Sequence, residues 1–500
     1  MNKLLTWLVH KMSNSTTSQA QTSSTNFEGA SQTRRFRTWG LSSAGINTTL
    51  YGDRGNLVNR SRDLHRNTPE ISGGIDTKTA NIIGRGITPR WDIDDISDQI
   101  KELWNQSAIE IDANEQLDFY GLQALATDTL AISGELLVQY IYRTLKSGLT
   151  VPFQIKLLEC DHLNDSSSYI LPNGNTLKMG IEFSRSNRRV AYHLYKNHPG
   201  ETYIFSSTDT IRIPANKILH IFRIRRPGQI RGYPGLSPII TRMHQFDKYE
   251  DAELMRKQMA AMLAYFIETP DGDPDIGLGG TTDESTDSEG NTDDFNFVEP
   301  GMISYLNPGE RMSASTPADV GGNYEPFIFR QLCSIAKGIG ITREQLTGDL
   351  RGVNYSSIRA GTIEVRRLFR MIQNHIIIHQ MCRPIAQEWL DTAYVIGAAK
   401  IQNYLDRRKS FIVKMKWDID GWEWVDPLKS EKAEILAIRS GRKSLDESLG
   451  ERGKNSADVL REIAKDNQLA DELELQLDSD GRKVNQTGTQ HSKSTGGGNF

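Results

Sequence analysis

The spacing of apolar and polar positions divides residues 60–235 into predicted helices and short strands. Apolar residues recur at helical spacing over Pro69–Ile83 and Asn114–Tyr142, which predicts two helices. Runs that alternate or are rich in β-branched residues, bounded by Asn-Gly, Gly and Pro turns, predict strands. These runs are Val151–Glu159, Met179–Phe183, Arg189–Lys196, Tyr203–Phe205, Asp209–Ile213 and Ile218–Ile224. The pattern therefore predicts a compact sheet beside helices.

A longer helix is predicted over Leu236–Glu268, with Pro238 near its start, where proline fits the first turn. At 1.5 Å per residue this helix would extend about 50 Å. Apolar residues of its second half fall at i, i+4, i+7 and i+11 and share one face; they are Met255, Met259, Met262 and Phe266. Such a stripe would be exposed to water unless neighbouring copies of the chain bury it. We therefore expect a subunit interface on this face.

A polar loop follows between two further helical patterns. Pro326–Ile341 predicts a helix within a segment that we extend to residues 326–344, and the loop covers residues 345–356. A helical pattern of about 40 residues then begins near Ser356 and contains Pro384, which should kink or interrupt it. The loop contains no pair of nucleophile and base, so we expect it to be presented to a binding partner.

The remaining segments are polar or short. Residues 12–33 are rich in Ser, Thr, Asn and Gln and are predicted to be disordered, within a flexible segment 1–59. Residues 270–300 carry ten Asp or Glu and no Lys or Arg, and a β-like piece follows at Gly301–Leu306. After Trp417 three short helices are predicted, the second with a Ser444…Glu447 capping box. They are Pro427–Arg439, Ser444–Leu449 and Ser456–Asn467, followed by a flexible tail at 468–500.

Composition narrows the class of protein. Five hundred residues suggest about three domains, and 37% hydrophobic residues are enough to build cores. A net charge of −4 argues against general nucleic-acid binding, which needs a basic face, but not against a protein past which DNA slides. Three cysteines form no disulfide framework and favour synthesis in a reducing cytoplasm. No apolar run approaches the ~20 residues that span a bilayer, and no signal peptide is recognisable. We expect a soluble protein.

No arrangement of residues predicts catalysis, a metal or a cofactor. His375, His379 and Cys382 lie at i, i+4 and i+7, a spacing that metal sites use, but packing against neighbours explains it better. An alternative hypothesis is a metal-dependent nuclease that uses acids 271–299 or the cluster Asp92, Asp94 and Asp95. The spacing does not favour it, and no phosphate-binding Gly-Lys-Ser/Thr loop is present.

Nine short segments, in one order from about residue 60 to 465, resemble the lambda-type family of bacteriophage portal proteins. The most specific surrounds the loop: Gly348-Asp349, then Asn354-Tyr355-Ser356-Ser357 and Arg359. The others, before and after it, are Arg66–Pro69, Ile83–Ile87, Gly134-Glu135, Glu159–Asp161, Ile213–Ala215 with His220, Arg226–Gly232, Tyr305–Glu310 and Trp422–Pro427. Each is weak alone, and their common order carries the resemblance.

The resemblance implies a mixed α+β, predominantly helical portal fold that assembles into a ring, typically of twelve subunits. It implies a wing at 60–235, a stem helix at 236–268, a clip at 269–325, a second stem helix at 326–344 and a tunnel loop at 345–356. A long kinked helix that returns to the wing would occupy 357–424 and a crown 425–467. The acidic 270–300 segment has no counterpart to carry over, so clip contacts stay open.

As a portal, the chain would form the channel at one capsid vertex through which double-stranded DNA is packaged and ejected. It would dock the terminase large subunit and head–tail joining proteins, would contact major capsid and scaffold proteins but no membrane, and would be assembled in the host cytoplasm into the virion. The loop residues that would face the channel are Gly348, Asp349, Leu350, Arg351, Gly352, Val353, Asn354 and Tyr355. Lys337 and Arg343 are candidate basic residues of the channel wall, although ion pairs between subunits or ordinary surface would explain them as well.

Four arginines open the long helix, at the end where the helix dipole is positive: Arg359, Arg366, Arg367 and Arg370. This placement is locally unfavourable and predicts acidic partners. A third hypothesis for the whole chain is a minor capsid or scaffold-like structural protein that forms no DNA channel.

Overall fold

The computed structural model describes residues 34, 38, 40, 42–91, 96–165, 168–201, 209–261, 266–268, 304–306, 324–422, 427–475, 477 and 480–482. The chain divides into two compact units, Met1–Thr49 and Leu50–Phe500. No helix among the described residues is long and apolar enough to cross a membrane.

The described helices are named in chain order, and the fold is mixed α+β and predominantly helical, as predicted. They are α1 Ile46–Asn67, α2 Pro69–Ile83, α3 Ser97–Glu110, α4 Phe119–Ile132, α5 Ile240–Ala261, α6 Tyr324–Ile339, α7 Arg343–Thr347, α8 Tyr355–Ile372, a π-helix Gln373–Cys382, α9 Arg383–Val395, α10 Tyr404–Lys414, α11 Pro427–Arg439, α12 Leu445–Gly450 and α13 Ser456–Glu472.

The described strands form four small sheets. They are β1 Ile87–Trp91, β2 Glu135–Tyr142, β3 Phe153–Glu159, β4 Tyr169–Ile170, β5 Thr176–Lys178, β6 Ile181–Phe183, β7 Arg189–Tyr195, β8 Thr210–Pro214, β9 Ile218–Phe222, β10 Phe266–Glu268, β11 Ser304–Leu306 and β12 Met415–Ile419. The sheets have the orders β3-β2-β9, β4-β5-β6-β7-β8, β1-β12 and β10-β11. All pairs are antiparallel except β10-β11, which is parallel.

Two hydrophobic cores hold the second unit together. The larger is centred on aromatic side chains: the Trp104 ring lies 4.9 Å from Trp389 and 5.0 Å from Phe119, both edge-on. It joins helices α2 to α4 to the π-helix and α9. The smaller packs β2 against β6 and β7 through Leu137, Ile181 and Tyr192, among others. The strand predictions over residues 151–224 are confirmed within two residues at each end, except Tyr203–Phe205, which lies outside the described residues.

The helix predicted over Asn114–Tyr142 is wrong at both ends. Asp118 caps α4 by accepting a hydrogen bond from Gly121 N–H at 2.7 Å, so the helix begins only at Phe119. Gly134 has a φ of 83°, and the chain continues as strand β2. A Cβ on Gly134 would lie 1.9 Å from the Tyr233 carbonyl carbon, so only glycine permits this close approach.

Several other boundaries differ from prediction. Residues 46–59 are helical, in α1, although the segment to residue 59 was expected to be flexible; residues 12–33 lie outside the described residues. The predicted tail from 468 is helical to Glu472, because α13 extends past Asn467. Helix α6 ends at Ile339, since Gly340 has a φ of 92°, and residues 345–347 and 355–356 of the predicted loop are helical.

The long helical segment after the loop is confirmed from Tyr355 to Val395 but changes its hydrogen bonding. Ten residues, Gln373–Cys382, form the π-helix, and the Arg383 N–H bonds to the Ile378 carbonyl, five residues back. Pro384 follows at the start of α9, where its missing N–H costs least. The proline therefore marks a change of helix type within the segment.

The helix predicted over Leu236–Glu268 is shorter, spanning Ile240–Ala261. Pro238 lies in the turn before it, and Phe266 belongs to strand β10, so Phe266 is not on the helix face with Met255. The β-like piece predicted at Gly301–Leu306 is present as β11, which pairs with β10. The three helices predicted after Trp417 are all present as α11, α12 and α13.

Candidate functional site

Helices α5 and α6 form an antiparallel pair that leads to the loop. Arg242 Nη1 donates to Gln331 Oε1 at 3.0 Å, and the Tyr249 ring lies 4.8 Å from Phe327. At the end of α6 the chains are close, because a Cβ on Gly338 would lie 2.1 Å from the Ile239 side chain. The loop therefore leaves the pair at the end where α5 begins.

The short helix α7 fixes the first side of the loop. Thr342 Oγ1 accepts from Gln345 N–H at 3.2 Å and Gln345 Oε1 accepts from Thr342 N–H at 3.0 Å, a complete capping box. Leu346 is buried against α2, 3.1 Å from where a Cβ on Gly74 would be. Gly348, with a φ of 69°, ends the helix.

Asp349 and Arg351 hold the exposed turn together. The Arg351 N–H and Nε donate to Asp349 Oδ1 at 2.9 and 3.0 Å, and Nη2 lies 2.9 Å from Oδ2. These hydrogen bonds lower the pKa of the Asp349 carboxyl to about 2. The Arg351 side chain is nevertheless 85% exposed. The turn thus presents a cation that is already paired with a carboxylate two residues away.

The apolar residues of the loop divide between solvent and the protein. Leu350 is 64% exposed, and Val353 is half-buried. Both border a cleft of about 190 Å³ against α7 and the first two turns of α8. Asn354 caps α8 by accepting from Ser357 N–H at 2.8 Å. Tyr355 is the first residue of α8, and Gly352 takes the left-handed conformation with a φ of 70°.

The two candidate wall cations differ in availability. Lys337 is exposed on α6. Arg343 is only 12% exposed, because its guanidinium lies 4.6 Å from the centre of the Phe329 ring and 3.0 Å from Glu344 Oε1. Sequence spacing could not show this contact, since Phe329 is on another helix. Lys337 is accordingly the more accessible cation of the two.

The arginines of α8 have two kinds of neighbour. Arg367 pairs with Glu364 at 2.6 Å, which is the acidic partner expected, and both side chains are 70% exposed. Arg366 and Arg370 instead lie 5.4 and 5.5 Å from the centre of the Trp422 ring. The Trp422 indole therefore packs against both of these cations.

The predicted interface residues of α5 lie in the half of the helix that projects from the core. The first half of α5 is buried in its own subunit through Met243 and Phe246. Met255 is 60% exposed and its neighbour Leu254 is 57% exposed. Met259 belongs to α5, and Met262 lies outside the described residues.

The metal-like spacing of the π-helix produces no ligand cluster. His375 and His379 are exposed whereas Cys382 is fully buried, so the three side chains do not converge. Glu159, Asp161 and His198 do converge elsewhere on the described part of the chain. Arg62 Nη2 lies 2.5 Å from both carboxylates and forms an ion pair with each of them. Asp92, Asp94 and Asp95 lie outside the described residues.

A buried ionic cluster around Glu135 unites distant segments of the sequence. Glu135 Oε1 lies 2.6 Å from Arg231 Nη2 and 2.7 Å from Arg54 Nη2, and Oε2 accepts from His220 Nε2 at 3.0 Å. Although burial alone would raise it, Arg231 and Arg54 hold the pKa of Glu135 well below its usual value. Burial lowers the pKa of His220 to about 4. Four of the segments that carry the family resemblance meet in this cluster. Three contribute Glu135, His220 and Arg231, and the fourth contributes Cys160, whose carbonyl accepts a hydrogen bond from Arg231.

Comparison with known proteins shows the family to which the chain belongs. The family model described as "Phage portal protein, lambda family" matches residues 32–373 of this chain. The chain is 27% identical to the "Probable portal protein" of Halomonas phage phiHAP-1 over 88% of this chain and 86% of that protein. It is 21% identical to "Portal protein B" of Escherichia phage lambda, over 86% and 87% of the two chains. The chain therefore belongs to the lambda family of phage portal proteins.

Solved structures give a weaker likeness. A chain from the neck of an empty gene transfer agent particle is 15% identical and has a TM-score of 0.40. The match covers 81% of this chain and 94% of that one. A chain from the virion of a native gene transfer agent particle is 13% identical, with coverages of 79% and 91% and a TM-score of 0.38.

Proposed function

We propose that this chain assembles into a ring, typically of twelve copies, at one vertex of a phage capsid, and that double-stranded DNA enters and leaves through the ring. The observation that carries the proposal is the family match over residues 32–373. In this role the chain conducts DNA passively and performs no enzymatic turnover. It is assembled in the host cytoplasm and resides in the virion.

In this proposal each part of the subunit corresponds to a segment of the chain. The wing comprises residues 60–235, and α5 and α6 form the stem. The chain between these two helices forms the clip, and residues 348–354 form the tunnel loop. The π-helix and α9 return to the wing core, and α11 to α13 form the crown. The acidic 270–300 segment lies in the clip, where the terminase large subunit and then the head–tail joining proteins would dock. Capsid and scaffold proteins would contact the outer surface.

Exposed apolar side chains on the stem helices support assembly. Leu254 and Met255 on α5 are 57% and 60% exposed, and Phe327 and Phe329 on α6 are 43% and 49% exposed. Large apolar side chains that are exposed at several points along one helix pair are typical of a surface that another chain covers. A heterologous contact that repeats and closes produces a ring. Copies of this chain are the partners that satisfy that geometry.

The loop chemistry fits a surface past which a duplex moves. Because Asp349 pairs with Arg351, the turn offers little net charge to hold a phosphate tightly. The net charge of the whole chain is −4, which also limits adhesion. Lys337 on the adjoining helix would reduce repulsion of the phosphates. We infer that the channel tolerates DNA without retaining it.

Mass measurement of the purified protein tests the proposal. Twelve copies of a 56.3 kDa chain give a particle of about 0.7 MDa. A closed ring of that order, even with one copy more or fewer, supports the portal function. A single 56.3 kDa species under every assembly condition would instead favour the minor capsid or scaffold role.

A further inference from the structure

A small pocket lies between α2, α4, the π-helix and the chain that follows β9. Its volume is about 70 Å³. Most of its wall is apolar, formed by Ile82, Leu130, Ala131, Ile372, Ile376 and Ile377. Three basic side chains also line it: Lys78, Arg223 and Arg225. None of the residues that line it is acidic.

The backbone around the pocket is tightly fixed. Gly134 touches the Tyr233 carbonyl, as described above, and a Cβ on Gly232 would lie 2.3 Å from the Gly134 oxygen. The Arg225 guanidinium lies 5.7 Å from the centre of the Tyr233 ring. Lys78 Nζ donates to the Ile339 carbonyl at 2.9 Å, at the C-terminal end of α6. Lys78 and Arg225 are therefore positioned before any ligand arrives.

Their charges are poorly compensated. Burial, together with Arg223 and Arg225, lowers the pKa of Lys78 to about 8. Burial and then Arg225 also lower the pKa of Arg223. A cation whose pKa is lowered by burial and by neighbouring cations gains from an anion placed beside it. A desolvated cation bound to a carboxylate forms a short, charge-assisted hydrogen bond.

We propose that this pocket binds the carboxylate of an acidic side chain from a second copy of the chain. The inference rests on the proposed ring, in which each subunit has a neighbour. The pocket combines three basic side chains with no acidic one among the residues that line it, which suits a single anionic group such as a carboxylate. The apolar walls suit the methylene groups that precede a side-chain carboxylate.

Competitive acylation with trace acetic anhydride at pH 8, read by mass spectrometry, tests the pocket. A carboxylate beside Lys78 raises the pKa of its amine and covers it, so labelling should slow at least tenfold when subunits assemble into rings. Lys146 is exposed in the turn after β2 and serves as the internal reference. Labelling of Lys78 at the same relative rate in subunits and rings would overturn the proposal.

Variants and a free anion separate the possible occupants. Lys78→Met should lower ring yield severalfold, whereas Lys78→Arg and the control Lys146→Met should not. If 50 mM acetate protects Lys78 in dissociated subunits while rings leave it reactive, the occupant is a free anion and the neighbouring side chain is excluded. If no rings form at all, the proposed function is contradicted, and the pocket is then tested on dissociated subunits alone. Acetate protection that Arg223→Met abolishes would then still support the carboxylate pocket, and absence of protection would overturn it.

Discussion

At the scale of single residues, the cluster around Glu135 shows how the family's sequence segments act together. Glu135, His220 and Arg231 are all fully buried and come from three separate segments. Removing one partner of a buried ion pair leaves an uncompensated charge, which costs about 3–5 kcal/mol. The cluster therefore fixes how the start of β2, the strand β9 and the chain after it are joined.

His220 makes the stability of the subunit depend on pH. Its Nδ1 is buried with no hydrogen-bond partner among the described residues, so burial lowers the pKa to about 4 from the usual 6.5. Between pH 6.5 and 4 the unfolded chain takes up a proton that the folded chain refuses. As the pH is lowered through this range, His220 alone should therefore reduce the free energy of unfolding by about 1.4 kcal/mol per pH unit.

His220→Gln keeps a donor for Glu135 and removes the titration. Denaturant unfolding of the isolated subunit at pH 7, 6 and 5 should show a shallower slope for this variant than for the unaltered chain. The free energy of unfolding of the variant should still depend weakly on pH, because burial also lowers the pKa of His162. Identical slopes for the two proteins would contradict the role given to His220. Glu135, with its lowered pKa, contributes only below its usual value of 4.5.

At the scale of elements, the loop between α7 and α8 is the feature whose charge can be altered most simply. Asp349→Asn removes the carboxylate that pairs with Arg351 and leaves one more free cation on each subunit. Assembled rings should then bind a short DNA duplex at least severalfold more tightly at low salt, with a steeper salt dependence. Fluorescence anisotropy across a salt titration measures both quantities.

The double variant Asp349→Asn with Arg351→Gln is the matched control for the loop. It lacks both charges and should return the affinity for duplex DNA to that of the unaltered rings. If Asp349→Asn rings bind DNA no better than unaltered rings, the loop does not meet the duplex. The exposed position of Arg351, rather than its identity alone, is what makes this comparison decisive.

Local signals predicted the elements well where each signal lies within a few residues. Ser444 caps α12 as expected, and alternation located β3 and β7. The merging of α4 with β2 was an error because apolar periodicity continues across Gly134, although a glycine with positive φ just past a helix is itself a local stop signal. The π-helix has no local signal beyond the proline that follows it.

The position of the loop along the sequence could be predicted, but the contacts of the charged side chains near it could not. The loop bounds came close, since glycines 348 and 352 and the Asn354 cap are local features. Shielding of Arg343 by Phe329 and the stacking of Arg366 and Arg370 on Trp422 depend on tertiary contacts. These contacts could not be predicted before the helices had been placed in space.

At the scale of the whole molecule, the stem helices should control assembly without controlling folding. Leu254→Asp with Met255→Asp places two charges on a surface that is exposed in the single subunit. The subunit should fold with nearly unchanged stability, while ring formation, measured by mass photometry, should fall at least tenfold.

Leu145→Asp is the matched control for the stem variant, because Leu145 is 78% exposed in a turn of the proposed wing. It should leave both folding and ring formation unchanged. Normal rings from the stem double variant would show that α5 does not lie at the subunit interface. Unfolded subunits would show that these residues contribute to the core, against their observed exposure.

Electron microscopy of assembled particles, at a resolution that traces the backbone, tests the central claim most directly. We predict a closed ring whose axial opening is wide enough for a DNA duplex, with residues 348–354 of every copy directed at the axis. A closed ring with those residues on its outer surface, or particles with no axial opening, would contradict the account.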